Sequence, residues 1–282
     1  MPILPGNVNM LASDGAAYYY MDSDNPTWTL SNVGINEMQG NAVYHTLQQI
    51  YDEKDLDNIT YAMYNDETPV GTVSITHGHT KGAFAFDTSS GFWLIVSVPK
   101  FPNIRTGGYQ YPKSWFRYGQ TMLCVSLNNT ELEDVAEIMT YTYPKFYDKH
   151  LPNSFAGSNP TLASLFQYRQ PHVISAPYKL ETTIHSKGDT IFHNFAKAAG
   201  FHADLYDAWV NERINHNLLV ETWQNGPKIY SIRSNCTETY KVYNVQEVVF
   251  PVGSFHKTKD HSKWAVSRTA KWTCIGDINR QV

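Results

Sequence analysis

Hydrophobic and polar positions alternate in several short segments, and a period of two residues predicts β-strands. These segments are rich in branched or aromatic residues and lie between clusters of Gly, Pro, Ser or Asn, which bound strands. The predicted strands are Ala16 to Met21, Ile59 to Tyr64, the segment around His79 to Asp87, Gly91 to Pro99, Thr121 to Leu127, Leu218 to Trp223, Tyr240 to Val249 and Lys263 to Ser267. One or two further strands are predicted between Ile174 and His185.

A helical period of apolar positions predicts four helices. They cover Asn36 to Tyr51, Glu131 to Met139 with Thr130 as N-cap, Asp189 to Gly200 with Asp189 as N-cap, and Leu205 to Glu212. Strands and helices mix without a strict βαβ rhythm, so the pattern predicts a mixed α/β chain of the α+β class. The loop from Leu151 to Pro160 divides it into a first lobe, 1–150, and a second lobe, 151–282, of one composite domain.

Composition narrows the class of protein. The chain has 282 residues, of which 42% are hydrophobic and 17% charged, enough for a substantial core. No run of 18 apolar residues predicts a membrane span, and the first residues do not have the pattern of a signal peptide. The formal charge is −4, but it would be +7 with all 11 histidines protonated. Such a chain is expected to hold a polyanion near pH 5 if those histidines titrate, and not if they are buried.

The cysteines and asparagines bear on the compartment. Three cysteines, Cys124, Cys236 and Cys274, form no CxxC pair, and both buried thiols and one disulfide with a leftover cysteine fit them. Asn-X-Ser/Thr triplets begin at Asn58, Asn128 and Asn235. These acceptors for N-glycosylation favour the secretory route.

A His and a Lys two residues apart occur in T-H-G-H-T-K-G-A-F-A-F-D, from Thr76 to Asp87. In a strand, residues i and i+2 share a face, so His79, Lys81 and Asp87 are predicted to lie together beside two alanines. The small residues are expected to leave room for a substrate. Gly78 and Gly82 bracket the pair and permit close approach of a backbone or a ligand.

The second half repeats this arrangement in D-H-S-K-W-A-V-S, from Asp260 to Ser267. His261 and Lys263 are predicted to share one face of a strand, with Trp264 on the other. A third such pair, His185 and Lys187, is interpreted as structural, and His77 as a neighbour that tunes the site.

Two His-Lys pairs are what hydrolysis of a phosphodiester without a metal requires. One imidazole attacks phosphorus, and the other protonates the leaving oxygen and then activates water. Two ammonium groups stabilise the negative charge of the transition state. No carboxylate cluster for Mg²⁺ accompanies these segments, so no metal or other cofactor is expected.

Longer motifs resemble the deoxyribonuclease II family. They are G-H-T-K-G at Gly78 to Gly82, G-F-W-L-I-V-S-V-P-K-F-P at Gly91 to Pro102, Y-G-Q-T-M-L-C-V-S at Tyr118 to Ser126, T-Y-T-Y-P at Thr140 to Pro144, D-H-S-K-W, and W-T-C-I-G-D-I-N-R at Trp272 to Arg280. The resemblance implies a phospholipase D-like fold, with two pseudo-twofold-related lobes that each have a central sheet flanked by helices. It also implies an endonuclease that cuts double-stranded DNA at acid pH without metal, leaves 3′-phosphates through a phosphohistidine, and resides in the lysosome or is secreted.

The resemblance assigns roles to individual residues. His79 and Lys81 match the first catalytic motif, and His261 and Lys263 the second. Asn279 would hydrogen-bond a phosphate oxygen or a catalytic His.

The chain also departs from the family pattern. Asp87 lies one residue beyond the Asp of the longer His-Lys-Asp signature. The family usually has a strand before the match to Leu4-Pro5, a His where Val96 stands, and a Cys at Ala265 that would pair with the match to Cys274.

Two other functions remain open at this point. One is a catalytically inactive secreted relative that binds DNA or a host protein, which the departures favour. The other is phospholipid hydrolysis at the same site. DNA is the expected partner and no membrane is expected, while both a monomer and a homodimer are compatible with the sequence.

Overall fold

The structure is a computed structural model and describes residues 1–225 and 232–281. Its strands are β1 Tyr19–Tyr20, β2 Thr29–Leu30, β3 Thr60–Asn65, β4 Lys81–Phe86, β5 Ser90–Val96, β6 Met122–Asn128, β7 Phe146–His150, β8 Lys179–His185, β9 Ile191–Lys197, β10 Leu218–Glu221, β11 Val242–Asn244, β12 Glu247–Phe250, β13 Gly253–His256, β14 Trp264–Ser267 and β15 Thr273–Ile275. Its α-helices are α1 Met10–Asp14, α2 Ala42–Tyr51, α3 Leu132–Thr142, α4 Asn153–Ala156, α5 Pro160–Leu165 and α6 Asn211–Ile214. A π-helical turn, Tyr206–Val210, leads into α6.

Two sheets organise these elements. The larger has five antiparallel strands in the order β6-β5-β4-β3-β7. The smaller is mixed and has four strands in the order β11-β10-β14-β15, of which β11 and β10 are parallel. The remaining strands of the described residues form three two-stranded ribbons, β1-β2, β8-β9 and β12-β13. The mixed α and β composition is as predicted. Within the described residues no helix is both long and apolar enough to cross a membrane.

The central strands of the five-stranded sheet, β3 and β4, are buried on both faces. Phe84 and Phe86 pack with α3 and α5, whereas Ala83 and Ala85 lie in a second cluster. This alternation follows the prediction. The expectation that the alanine face leaves room for a substrate was wrong, because the apolar side of α2, including Leu47, fills that space.

The predicted division at residues 150 and 151 remains a prediction, and the apolar core extends across it. Phe155, Leu162 and Ile184, which follow that position, pack against the same core as Phe84. The predicted boundary loop also contains α4. A smaller core forms later in the chain, where Val220 of β10 meets Ala265 of β14.

The helix predicted from Asp189 to Gly200 was wrong, because this stretch forms β9, which pairs with β8 in a hairpin. Asp189 lies in the hairpin turn with φ 61° rather than at a helix start. The spacing of Phe192, Phe195 and Ala196 suits a helix, but cross-strand pairing with β8 outweighs local propensity. The third His-Lys pair begins with His185 at the end of β8, and Lys187 lies in the same turn, where its amide donates to the carbonyl of Ser126.

Two helices differ in detail from the prediction. The helix predicted from Asn36 begins at Ala42, because the side-chain oxygen of Asn41 caps the free amides of Val43 and Tyr44. The N-cap of α3 is Glu131, without a side-chain capping bond, rather than Thr130.

Candidate active site

Each His-Lys pair lies at the beginning of an interior strand. Lys81 is the first residue of β4, the middle strand of the larger sheet, and Lys263 immediately precedes β14 in the smaller one. Each His therefore lies just before its strand, where the chain has left the sheet. Both lysine side chains are fully buried.

The first pair is held by Asp66, which follows β3. Nδ1 of His79 donates to one carboxylate oxygen of Asp66 at 2.8 Å, and Nζ of Lys81 binds the other. The Lys81 ammonium also lies 3.3 Å from Nε2 and 3.4 Å from Nδ1 of His79. It is nearly equidistant from both nitrogens, so it does not bind the in-plane lone pair of either one.

The second pair is held by main-chain groups. Nδ1 of His261 lies 2.9 Å from the carbonyl oxygen of Ser97, and Nζ of Lys263 donates to the carbonyl of His261 at 2.7 Å. A carbonyl can only accept, so Nδ1 of His261 carries the hydrogen. The same reasoning applies to His79 and the ionised Asp66. In the neutral state both imidazoles therefore have their lone pair on Nε2.

The two pairs meet at one end of the larger sheet. Gly82 pairs with Ile95, so the start of β4 lies beside the end of β5, where Ser97 binds His261. The amide of His261 donates to the carbonyl of Gly119 at 2.8 Å, and that of Lys263 to Oγ1 of Thr121 at 3.2 Å. The segments just after β5 and just before β6 thus receive the second motif beside the first.

Asp277 joins the two motifs from the other direction. One of its carboxylate oxygens accepts from the amide of Lys81 at 3.2 Å. Asp277 is held near the second motif because the neighbouring Gly276 amide donates to the carbonyl of Lys263 at 3.0 Å. Burial raises the pKa of Asp277 to about 6, against the opposing attraction of Lys81.

The site favours neutral imidazoles when it is empty. Burial and the Lys81 charge lower the pKa of His79 to about 4, although Asp66 opposes this shift. Burial and the charges of Lys263 and Lys81 hold the pKa of His261 well below its usual range. Burial would raise the pKa of Asp66, but the hydrogen bond from His79 and the Lys81 charge outweigh it and keep Asp66 ionised.

Lys263 and the buried acids behind it are also perturbed. Burial and the nearby Lys81 hold the pKa of Lys263 well below its usual value. Burial, with the charge of Asp260, raises the pKa of Glu221 to about 9, and burial also raises that of Asp260. Oε1 of Glu221 has no hydrogen-bond partner among the described residues. Glu221 is therefore a neutral carboxylic acid at and below neutral pH.

Aromatic rings enclose the second histidine. The ring centroid of His261 lies 5.1 Å from that of Trp115 and 5.0 Å from that of Trp223. Tyr118 packs edge-on against Trp223 at 5.0 Å. His261 is buried whereas His79 is only partly buried, so the first histidine is the more accessible.

The two glycines allow close packing of the protein itself. A Cβ on Gly78 would collide with the carbonyl of Thr142, and one on Gly82 with the carbonyl of Leu94 and the hydroxyl of Tyr64. Protein backbone and Tyr64 therefore occupy the space that the sequence left open to a ligand.

His77, Asn279 and Asp87 are placed differently from the catalytic pairs. His77 binds Oγ of Ser74 at 2.8 Å and stacks on Tyr143 rather than contacting His79. Oδ1 of Asn279 is buried without a partner in the described residues, and its predicted bond to a phosphate oxygen or a catalytic histidine remains a prediction. Asp87 was wrongly placed, because it caps the turn between β4 and β5, roughly 20 Å from Lys81 at the rise of an extended strand.

Several residues of this site were missed from the sequence. Asp66 lies 13 positions before His79 in a Pro- and Gly-containing loop, and Asp277 stands inside the G-D-I-N motif that was valued for its asparagine. The signal available was an Asp directly after a predicted strand, at the same sheet end as the His-Lys pair. No local pattern singled out the carbonyl of Ser97.

The side chains present suit acid-base and nucleophilic chemistry at an anion. Two imidazoles, each with Nδ1 bound to an acceptor, converge with two buried ammonium groups and one ionised carboxylate. The ammonium of Lys81 lies 3.3 Å from Nε2 of His79, and that of Lys263 lies 3.5 Å from Nε2 of His261. Within residues 1–225 and 232–281, no group of three His, Cys, Asp or Glu side chains is placed to hold a metal ion. The three cysteines are all free thiols.

Comparison with known proteins places the chain in a family. A family model for deoxyribonuclease II matches residues 3–282. Plancitoxin-1 of Acanthaster planci is 39% identical over 273 residues, 95% of this chain and 75% of that protein. Deoxyribonuclease-2-alpha of Mus musculus is 38% identical over 273 residues, 94% of this chain and 76% of that protein. Deoxyribonuclease-2 of Caenorhabditis elegans is 36% identical over 306 residues, 98% of this chain and 79% of that protein. With similarity along almost its whole length, this chain belongs to the deoxyribonuclease II family.

Proposed function

We propose that this protein is an endonuclease that hydrolyses double-stranded DNA at acid pH, without a metal ion, and leaves 3′-phosphate ends. The observation that carries the proposal is the convergence of two His-Lys pairs, in which each histidine has Nδ1 bound to an acceptor and Nε2 left as the nitrogen that can react. Membership of a family whose relatives are named deoxyribonucleases supports DNA as the substrate.

His79 is the nucleophile in this proposal. Its Nε2 attacks phosphorus, the bond to the 5′ oxygen breaks, and the phosphoryl group stays on the imidazole with the 3′-linked strand. That intermediate carries a positive charge on the ring, which the ionised Asp66 at Nδ1 stabilises. The greater exposure of His79 is consistent with the same role.

His261 is the acid and then the base. Protonated Nε2 gives its proton to the departing 5′ oxygen, and the resulting neutral imidazole takes a proton from the water that attacks the phosphohistidine. Its Nδ1 partner is the neutral carbonyl of Ser97. This partner stabilises an imidazolium less than a carboxylate does, so the proton is released more readily.

The two lysines stabilise charge from beneath the imidazoles. Both ammonium groups are buried and contact their own histidine. The positive field of Lys81 and Lys263 favours the arrival of a phosphodiester and the additional negative charge of its transition state. In the empty site the same field disfavours imidazolium.

Acid pH follows from the need to protonate His261. Its pKa lies well below the usual range in the empty enzyme, because of burial and the lysine charges. A bound phosphate adds negative charge and moves that pKa upwards, but activity should still fall as pH rises through it.

The architecture and cellular setting belong to the same proposal. We infer a phospholipase D-like arrangement, with lobes 1–150 and 151–282 that each contribute one pair.

A lysosomal or secreted location fits the triplets at Asn58 and Asn128, which are exposed. Asn235 differs, since its amide nitrogen binds the carboxylate of Asp207 at 3.0 and 3.1 Å. Glycans are therefore expected at the first two positions, as mass analysis of protein expressed in eukaryotic cells before and after a glycosidase would show.

Plasmid cleavage in EDTA at about pH 5 and pH 7.5, across the titration range of histidine, tests the proposed function. We expect cutting at acid pH that is lost in both His79→Ala and His261→Ala. End labelling should find 3′-phosphates. If the folded wild-type protein does not cut DNA under any of these conditions, the nuclease proposal fails and an inactive, DNA- or protein-binding relative remains.

A further inference from the structure

Three aromatic rings form a stack beside the first motif. The centroid of His77 lies 4.5 Å from that of Tyr143, and Tyr143 lies 4.1 Å from His172 on its other side. Both pairs are close to parallel, at 16° and 25°. His172 is exposed, whereas His77 and Tyr143 are partly exposed. The stack therefore has two imidazoles at the surface, separated by one phenol ring.

Well-defined backbone contacts position this stack. Tyr143 ends α3 in the left-handed region at φ 46°, an unfavourable conformation for a residue with a side chain. The amide of Gly78 donates to its carbonyl at 2.8 Å. The segment of His172 is fixed over the end of α3, because the Val173 amide donates to the carbonyl of Thr140 at 3.2 Å. The rings thus belong to the folded scaffold.

The groups around the stack are cationic or neutral. Lys145 follows Tyr143 by two residues, and its charge and that of His172 add to burial in lowering the pKa of His77. Nδ1 of His77 meets the hydroxyls of Ser74 and Thr76. Among the described residues, neither histidine nor Lys145 has a carboxylate oxygen within 4.0 Å. Asp66, at the start of the loop that carries His77, binds the first catalytic pair instead.

The stack adjoins the proposed nucleophile in the chain, because only Gly78 separates His77 from His79. Gly78, whose amide binds Tyr143, directly precedes His79 in the chain. A strand of DNA with one phosphate at His79 has its neighbouring phosphates a short distance along the surface, where a second group of cations would meet them.

We propose that His77, His172 and Lys145 form a second phosphate subsite, which binds the DNA backbone next to the scissile phosphate and takes up protons as it does so. The inference rests on the proposed function for the identity of the polyanion. Imidazole and ammonium groups bind the phosphate rather than the base, so this subsite adds affinity without sequence preference.

Proton uptake follows from mutual repulsion. Without a ligand, burial and the charges of Lys145 and His172 disfavour protonation of His77. An anionic phosphate reverses this interaction and raises the pKa of each imidazole that faces it. Since the bound state then holds more protons than the free state, affinity increases as pH falls through the histidine range.

Binding of a short fluorescent DNA duplex, followed by anisotropy in the inactive His261→Ala background, tests this subsite. His172→Phe keeps a ring on Tyr143 but removes the proton site, and Lys145→Met keeps the aliphatic stem but removes the charge. We expect each change to weaken binding about threefold to tenfold at pH 5. The effect of His172→Phe should be smaller at pH 7.5, where imidazoles are neutral, whereas that of Lys145→Met should persist, because an ammonium group remains charged. The Lys145→Met slope of log K against log salt should also decrease by about 0.9.

Matched controls and cleavage kinetics complete the test. His45→Phe and Lys54→Met replace exposed residues in and after α2 and should leave affinity unchanged. With His261 present, the subsite variants should raise KM and leave kcat nearly unaltered. If the wild type cuts DNA and both subsite variants bind with the parental affinity and pH dependence, the subsite is refuted and the nuclease function stands. If the wild type neither cuts nor binds DNA, both proposals fall.

Discussion

Nδ1 of His261 donates to the carbonyl oxygen of Ser97 at 2.9 Å, across 164 positions of the sequence. The equivalent nitrogen of His79 donates to a carboxylate, that of Asp66, at 2.8 Å. The two histidines therefore face similar lysines but have partners of different charge. A charged partner stabilises a phosphoimidazolium, and a neutral partner favours release of a proton. This asymmetry is the basis for assigning His79 as nucleophile and His261 as acid.

Substrates with different leaving groups should separate the two histidines. A nitrophenyl ester of a nucleoside 3′-phosphate has a leaving oxygen that needs no proton. His261→Ala should therefore retain much of the wild-type burst of nitrophenol release on this ester, while losing DNA cleavage. His79→Ala should show no burst of nitrophenol from the ester and no cleavage of DNA, because no phosphohistidine can form. If His79→Ala retained the burst and His261→Ala lost it, His261 would be the nucleophile and His79 the acid.

Asp66→Asn should damage both catalysis and stability. It removes the charge that stabilises the phosphohistidine, so kcat should fall at least about 100-fold with a smaller change in KM. It also leaves the fully buried Lys81 without its ion-pair partner, at a cost of about 3 kcal/mol in the free energy of unfolding. Steady-state kinetics and urea denaturation at pH 5 measure the two effects.

The control for this change is Asp87→Asn, at the exposed turn between β4 and β5. It should leave kcat unaltered. Equal losses of kcat in both variants would contradict the assignment of Asp66 to the site.

Trp115→Ala should extend activity towards neutral pH. Burial is the first cause of the lowered His261 pKa, and the indole of Trp115 forms one wall of its enclosure. Admission of water should raise this pKa towards its ordinary value of 6.5. The alkaline limb of kcat/KM against pH, where His261 loses its proton, should then move up by about one unit. Trp28→Ala, at an exposed tryptophan, should leave the profile unchanged, and an unmoved profile in Trp115→Ala would refute the desolvation argument.

Glu221→Gln should have a pH-dependent effect on stability. The pKa of Glu221 rises from 4.5 to about 9 on folding. Between these values the folded state holds a proton that the unfolded state has lost, so its contribution to stability is complete below pH 4.5 and declines as pH rises. The Gln variant cannot ionise. It should match the wild type near pH 4.5 and exceed it by about 4 kcal/mol at pH 7.5, since each pH unit between them contributes about 1.4 kcal/mol.

Urea denaturation at both pH values measures that difference. A variant that is equally destabilised at both would show that Glu221 is ionised in the fold. Because the lowered pKa values of the two catalytic histidines act in the opposite direction, only the difference between variant and wild type isolates Glu221.

The sequence by itself determined the local chemistry of this protein. A period of two residues in K-G-A-F-A-F placed Phe84 and Phe86 on one face of β4 and the alanines on the other, because alternation is a property of the extended backbone. The spacing of each His-X-Lys likewise fixed two residues close together in each motif. These features need no information beyond a few neighbouring residues.

Only the tertiary structure decided which groups complete the site. Asp66, Ser97 and Asp277 reach the motifs through contacts that span 13, 164 and 196 positions. The same physical reason explains the error at β9, where pairing with β8 outweighed a helical pattern. Long-range contacts depend on how the sheets and loops pack together, and no short stretch of sequence contains that information.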